Sequence, residues 1–369
     1  MNDAFMREAL DLARQGRAQA SPNPMVGAVV VRDGEIVGRG FYTYAGMKHA
    51  EVLALAEAGD RARGATVYVS LEPCSHQGRT PPCADALIAA RVAKVVAATE
   101  DPNPLVKGGG LARLKAAGIE VATEPEFAKE AEKLNQAFFH FMRTGRPLVT
   151  LKTAITLDGK ISAPDDNRGW ITSERARAHV QGLRHDHDAI LTGIGTVLAD
   201  DCLLTDRTGL PRARPLMRIV MDSQLRLPLD SQMASSANGD VTVVTTSASP
   251  VEKRRLMEAR GIQVLVFDGP GGRSDLREVV NWLGRERYLS LMIEAGSKLN
   301  WTALETDCVD RVFFYYGPKI LGGLEALPLA GGIGRRRRSD AIVVHGITIH
   351  SIAPDEFAVE GYLDVHRNH

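Results

Sequence analysis

Apolar positions recur along this 369-residue chain in two rhythms, and the first to appear is helical. Phe5, Ala9, Leu10 and Ala13 fall on one face of a helix over residues 4–14, which Ser21-Pro22-Asn23-Pro24 ends. Residues 26–31 form an unbroken apolar run that predicts a buried strand, and Asp33-Gly34 turns it into a partner around Ile36-Val37. A helix over 50–58, a strand over 66–69, a helix over 83–90 and a strand over 94–98 follow. Helix, hairpin, helix, strand, helix, strand predicts a layered α/β domain, closed by one long amphipathic helix over 126–142.

Thr144-Gly145-Arg146-Pro147 punctuates the end of that helix and sets the expected boundary between domains at 1–145 and 146–369. Beyond it, strands are expected over 148–153, 189–192, 218–221, 241–245, 264–267 and 291–293. Helical patterns over 173–183, 251–260 and 275–284 fall between several of them, so the second sheet is expected to be mostly parallel with crossover helices. The tail predicts strands over 309–316, 341–349 and 357–365. The charge run Arg335-Arg336-Arg337-Arg338 reads as a solvated loop.

Composition acts by exclusion. Hydrophobic residues at 44% and charged residues at 24% rule out a disordered chain. The 45 basic side chains balance 45 acidic ones and aromatics are only 5%, which argues against a nucleic-acid binder with a basic, stacking groove. No window reaches ~18 uninterrupted apolar residues, so no membrane span is expected. The acid-bearing start lacks the apolar core of a secretory signal. A cytoplasmic protein without membrane or nucleic-acid partners is therefore expected, and a homo-oligomer is allowed for. Four cysteines are too few for a disulfide scaffold but enough for one metal site.

That site is readable. His49-Ala50-Glu51 opens a predicted helix, Cys74 follows a strand in Glu72-Pro73-Cys74, and Cys83 opens the next helix after Pro82. One His and two Cys can hold zinc with a coordination position left open, the catalytic rather than the structural pattern. Glu51, two residues from the ligand His49, is the expected proton shuttle to a departing amine. Thiolates at helix starts also suit the positive end of the helix dipole. In the usual base-deaminase signature two residues separate the cysteines, whereas here the eight residues 75–82 do. Cys202 and Cys308 stand outside this set and read as packing residues or ordinary thiols.

Pro22-Asn23-Pro24-Met25-Val26-Gly27, His49-Ala50-Glu51 and the run from Glu72 to Cys83 closely resemble the bifunctional riboflavin-biosynthesis deaminase/reductase family. The widened cysteine spacing is that family's own form of the motif. Asp101-Pro102-Asn103-Pro104 and Gly108-Gly109-Gly110 match its first half. Leu151-Lys152-Thr153-Ala154, Leu157-Asp158-Gly159-Lys160-Ile161 and Trp170-Ile171-Thr172-Ser173 match its second half.

The resemblance implies a cytidine-deaminase-like three-layer domain over 1–145 and a dihydrofolate-reductase-like domain over 146–369. The first would be a zinc-dependent pyrimidine deaminase and the second an NADPH-dependent reductase of the ribosyl group, both acting on one small phosphorylated pyrimidine. Asn23 would contact that pyrimidine in the first domain.

In the second half, Gly193-Ile194-Gly195-Thr196 and Glu294-Ala295-Gly296-Ser297 each follow a strand and precede a helix, turns where backbone amides can approach a diphosphate. The resemblance assigns NADPH contacts to Ala154, Trp170, Thr196, Asp200, Ser223, Gly296 and Ser297. It assigns substrate contacts to Arg184, Leu204, Arg207 and Glu294. Lys152 sits mid-strand, an odd place for a core residue unless it is paired, and is expected to be a polar active-site group with Asp158 beside it. The chain departs from the family at Arg168, where Ser is common, and at Ala295, where Gly is common; no contact is assigned to Asn167 or Arg168.

Overall fold

The computed structural model describes residues 2–165 and 168–364. Asn167 and the last residue of the strand expected over 357–365 lie outside the described residues. The chain divides into two compact units, one running to Gly145 and including Pro211–Arg214, the other formed by Arg146–Leu210 and the chain from Pro215 on.

The first unit is built on a five-stranded sheet of β1 (Gly27–Arg32), β2 (Glu35–Phe41), β3 (Thr66–Val69), β4 (Lys94–Ala97) and β5 (Glu120–Thr123), in the order β2-β1-β3-β4-β5. The hairpin β1–β2 and the β1–β3 pair are antiparallel, while β3, β4 and β5 run parallel. Asp33 and Gly34 take φ of 52° and 82°, the doubly left-handed turn that an Asp-Gly pair favours. Both faces of the strands are apolar, so both are covered. Ala28, Val30, Val67, Val69, Val95 and Ala97 pack against the helices Ala50–Ala58, Cys83–Ala89 and Gly109–Ala116. Val29, Val31, Tyr68 and Val96 pack against Asn2–Gln15 and Pro125–Leu134. The result is three layers.

The helix expected over 126–142 is two, Pro125–Leu134 and Gln136–Thr144. Asn135 breaks it because its side-chain amide is committed elsewhere: Met25 N donates to its Oδ1 at 2.7 Å, and its Nδ2 donates to Met25 O at 2.8 Å. The helix Gly109–Ala116 and the strand β5 have no counterpart in the sequence reading. β5 is a short edge strand of exposed Glu and Thr flanking half-buried Val and Ala, without an apolar run to reveal it.

One close approach fixes the helix that carries His49 and Glu51. A Cβ on Gly40 would lie 2.2 Å from the carbonyl oxygen of Ala50, so β2 and this helix are nearly in backbone contact. Gly40→Ala is expected to destabilise the first unit by about 1–3 kcal/mol through overpacking, which urea unfolding would measure.

The second unit holds a nine-stranded sheet ordered β11-β10-β9-β8-β12-β6-β13-β16-β15. These strands are β6 (Leu148–Thr156), β8 (Ala189–Gly193), β9 (Met217–Met221), β10 (Val241–Thr245), β11 (Gln263–Val266), β12 (Ser290–Ile293), β13 (Arg311–Gly317), β15 (Val344–Ala353) and β16 (Glu356–Leu363). The short β7 (Lys160–Ser162) and β14 (Leu327–Pro328) pair separately. Pairing is parallel from β11 through β13 and antiparallel across β13, β16 and β15. One face packs on the helix Glu174–His185 through Val180 and Leu183, the other on Leu276–Arg285 through Val279, Val280 and Leu283. Ser173 caps the first of these helices by accepting from Ala176 N at 3.3 Å.

Among the described residues no helix is long and apolar enough to cross a membrane. Cys308 is buried at 2% exposure in the cluster under Leu276–Arg285, and Cys202 packs partly buried against the separate cluster under Glu174–His185; neither is in a disulfide.

Candidate active sites

His49 precedes the first turn of the helix Ala50–Ala58, and Cys83 is the first residue of Cys83–Ala89. Cys74 lies in the loop after β3. His49 Nδ1 stands 3.1 Å from Cys83 Sγ and 3.5 Å from Cys74 Sγ, and all three donor atoms lie within 4.8 Å of one another. Tetrahedral zinc with bonds of about 2.0–2.3 Å needs donors roughly 3.5 Å apart, so this donor set fits the ion. The eight-residue spacer does not disturb it, because the loop closes on itself. Cys83 N donates to Cys74 Sγ at 3.2 Å and Ala84 N to Cys74 O at 3.1 Å, while Gln77, Gly78 and Arg79 face solvent. The mutual hydrogen bond of the two cysteines pulls the Cys74 thiol well down and pushes the Cys83 thiol up, so Cys74 is the readier thiolate for a metal.

Glu51, in the first turn after His49, is 3% exposed. Burial pushes its carboxyl up to about 7, against the pull of His49. A carboxyl with that affinity for a proton, beside the three donors and outside their set, has the chemistry of a proton carrier.

Two neighbours carry no sequence signal of their role. Tyr42 accepts a hydrogen bond from Asn23 Nδ2 at 2.6 Å and packs edge-on to the His49 ring, centroids 5.3 Å apart. That pairing turns the Asn23 carbonyl oxygen free for another donor. Glu72, quoted above only as part of a motif, is 3% exposed and accepts from Asp101 N, Gly108 N, Gly110 N and Leu111 N at 2.9–3.2 Å. Its carboxylate thereby fastens the Asp101–Leu111 loop to the backbone next to Cys74.

In the second unit the expected cofactor residues gather at the carboxyl ends of four adjacent strands, β9, β8, β12 and β6. Ser223 follows β9, Thr196 and Asp200 lie on the helix Ile194–Asp200 after β8, Gly296 and Ser297 follow β12, and Ala154 is on β6. A Cβ on Gly296 would sit 3.8 Å from Thr196 Oγ1, so the two turns face one another. Ser297 begins the helix Ser297–Glu305; its hydroxyl is buried and has no hydrogen-bond partner among the described residues. An orphaned hydroxyl at a helix N-terminus, next to a glycine turn that faces Thr196, fits a nucleotide diphosphate. Ser223 Oγ is occupied within the protein, meeting Ser274 Oγ at 3.0 Å and accepting from Ser274 N at 2.9 Å. Trp170 stands apart, 67% exposed, with the Arg177 guanidinium 4.6 Å from its ring.

Lys152, Arg184 and Glu294 meet. Lys152 Nζ donates to Glu294 Oε1 at 2.9 Å, and Arg184 Nε and Nη2 donate to Oε2 at 3.2 and 3.0 Å. Pairing explains how Lys152 is 6% exposed on a central strand. Burial pushes the Glu294 carboxyl up, but the two cations outweigh it and bring it to about 2. Asp158 does not join this group, contrary to expectation. Its carboxylate is held in the turn after β6 by Thr156 Oγ1, Leu321 N and Gly322 N at 2.6, 3.2 and 2.7 Å. Leu204 is buried and Arg207 exposed, both on the loop that Arg184 reaches through Thr205 O.

A sheet flanked by helices with a His/Cys/Cys cluster, joined to a parallel sheet with glycine turns at its carboxyl edge, defines a two-unit enzyme: a zinc-type deaminase with a nucleotide-dependent reductase. Residues 1–99 match the cytidine and deoxycytidylate deaminase zinc-binding region, and residues 147–347 match the RibD C-terminal domain. The chain is 44% identical over 338 residues to the riboflavin biosynthesis protein RibD of Actinobacillus pleuropneumoniae, covering 92% of this chain and 89% of that one. The solved structure of Acinetobacter baumannii RibD is 35% identical, with a TM-score of 0.87 over 98% of both chains. That of the Thermotoga maritima diaminohydroxyphosphoribosylaminopyrimidine deaminase/5-amino-6-(5-phosphoribosylamino)uracil reductase is 33% identical, with a TM-score of 0.83 over 98% of both. The chain belongs to the RibD family, with a cytidine-deaminase-like fold in its first unit and a dihydrofolate-reductase-like fold in its second.

Proposed function

We propose that residues 1–145 hydrolytically deaminate diaminohydroxyphosphoribosylaminopyrimidine and that residues 146–369 then reduce the ribosyl group of the product to ribityl. The chain is a zinc- and NADPH-dependent bifunctional enzyme of riboflavin biosynthesis, a hydrolase and an oxidoreductase acting on a small phosphorylated pyrimidine. The observation that carries the deaminase assignment is the convergence of His49, Cys74 and Cys83 beside the buried carboxyl of Glu51.

His49, Cys74 and Cys83 would hold zinc, which would supply the Lewis acidity that activates water at neutral pH. Glu51 takes the proton released as the new C–O bond forms and returns it to the amino group as the C–N bond breaks, so that ammonia leaves. The Asn23 carbonyl oxygen, oriented by Tyr42, accepts from the pyrimidine.

In the second unit NADPH supplies the hydride. Thr196, Asp200, Ser223, Gly296 and Ser297 hold the nucleotide, with Ala154 and Trp170 alongside. Arg207 and Leu204 meet the phosphorylated substrate, and the Lys152–Glu294–Arg184 group presents polar contacts to its ribosyl end. The zero net charge and scarce aromatics support a small substrate rather than a nucleic acid. We place the enzyme in the cytoplasm, and allow for a homo-oligomer.

Incubation with the phosphoribosylated diaminopyrimidine tests the order of the two steps. Ammonia release is expected without NADPH, and NADPH oxidation only after deamination; NADPH oxidation on undeaminated substrate overturns the order. Stripping zinc with a chelator is expected to stop ammonia release while NADPH oxidation on the deaminated substrate continues.

A further inference from the structure

The chain between the helix Ile194–Asp200 and strand β9 has no regular structure at its start, yet its backbone is fastened almost residue by residue. Gln232 donates to Asp201 through its N and Nε2, at 2.8 Å to Oδ1 and 3.0 Å to the carbonyl oxygen. Arg218 Nη1 donates to Leu203 O and Arg184 Nη1 to Thr205 O, each at 3.1 Å. His185 Nδ1 donates to Asp206 Oδ2 at 2.8 Å, and Arg207 N to Gln181 Oε1 at 3.0 Å. Asp201 ends the preceding helix in the left-handed region with φ of 41°, and Leu204, between the fastened Leu203 and Thr205, has φ of 51°, a conformation a leucine rarely adopts.

A helix-to-strand connection needs none of this. Ordinary loops satisfy much of their backbone with water. Here a buried hydrogen bond between side chains only 2% and 6% exposed, His185 with Asp206, is spent on one loop, and Arg218, itself 1% exposed, reaches it from β9. The outcome is a fixed separation between the helix bearing Thr196 and Asp200 and the backbone that carries Leu204 and Arg207.

We infer that the segment 201–208 is a ruler between the two ligands of the reductase, with His185 and Asp206 as positioning residues for the pyrimidine substrate and not for the cofactor. The inference rests on the reading that Leu204 and Arg207 meet that substrate. Selectivity follows from where the fastenings lie. His185 and Asp206 act on the loop, whereas the two glycine turns are held by their own strands and helices.

The test is steady-state kinetics of NADPH oxidation on the deaminated substrate. His185→Phe deletes the donor, Asp206→Asn deletes the charge, and His185→Asn keeps an N–H at the Nδ1 position. His185→Phe and Asp206→Asn are expected to raise KM for the pyrimidine about tenfold and to leave KM for NADPH within about twofold, with His185→Asn near wild type. The double variant is expected to be no worse than the worse single one, because the His185–Asp206 bond is common to both and Asp206→Asn keeps the Oδ1 that accepts from Thr208 N and Oγ1. Equal rises in both KM values, or no rise for the pyrimidine, overturn the ruler; should His185→Phe fail to fold, Asp206→Asn decides alone. Arg207→Ala separates the two layers of the argument. If it leaves KM for the pyrimidine unchanged, the substrate reading fails; if it raises that KM while His185→Phe and Asp206→Asn do not, only the ruler fails.

Discussion

Glu51→Gln is expected to cut ammonia release by about 10³-fold, within the range that a positioned proton carrier contributes. The substitution is nearly isosteric, so the amide fills the space of the carboxyl and leaves the His49, Cys74 and Cys83 donors where they are. Zinc content per chain is therefore expected to stay at the wild-type ratio, measured by elemental analysis. An amide cannot accept the proton of the attacking water, and that is the loss the assay reads. Stability is expected to hold or rise, because burial penalises the ionised carboxyl and the variant removes that penalty. NADPH oxidation on the deaminated substrate is the internal control, and it should be unchanged. Ammonia release at the wild-type rate with zinc in place would remove Glu51 from the mechanism and leave a structural metal site. His49→Ala gives the contrast, losing both zinc and ammonia release.

What the chain disclosed in its sequence follows from which forces are local. Strands Thr66–Val69 and Val241–Thr245 match their expected ranges because apolar runs and their flanking turns lie within a few residues of one another. The zinc donors were legible for a similar reason: ligand chemistry restricts the residue types, and short motifs flag them. Features made by distant pairs were not. The break at Asn135 is caused by the backbone of Met25, 110 residues away. Tyr42 has no spacing to betray that its hydroxyl meets Asn23, and nothing in His185 or Asp206 announces their 2.8 Å pair. Lys152 was the intermediate case. Its position on an apolar strand signalled that a partner must exist, and the structure supplies Glu294, which Lys152 shares with Arg184.

That buried group sets the second large effect. Glu294→Gln is expected to destabilise the second unit by about 3 kcal/mol and to abolish most NADPH oxidation. Lys152 and Arg184, with side chains 7% and 9% exposed, would face a neutral amide that offers one acceptor oxygen where the carboxylate offered two. The penalty comes from leaving two buried cations without their counter-charge, so it exceeds the net worth of the intact group. The same carboxylate gives the wild-type enzyme a pH dependence whose sign is fixed by its depressed pKa of about 2. A carboxyl ordinarily near 4.5 that is held at about 2 when folded contributes stability that is fully present above about 4.5. This contribution drains away as pH falls from there toward 2, over which the shift corresponds to roughly 3 kcal/mol. Thermal unfolding of wild type and Glu294→Gln should therefore differ most at neutral pH and converge on acidification. A gap that stays constant from pH 7 to pH 3 would mean that Glu294 acts through packing rather than charge. Lys152→Met combined with Glu294→Gln should recover part of the lost stability, since one unpaired cation is then gone, without recovering NADPH oxidation.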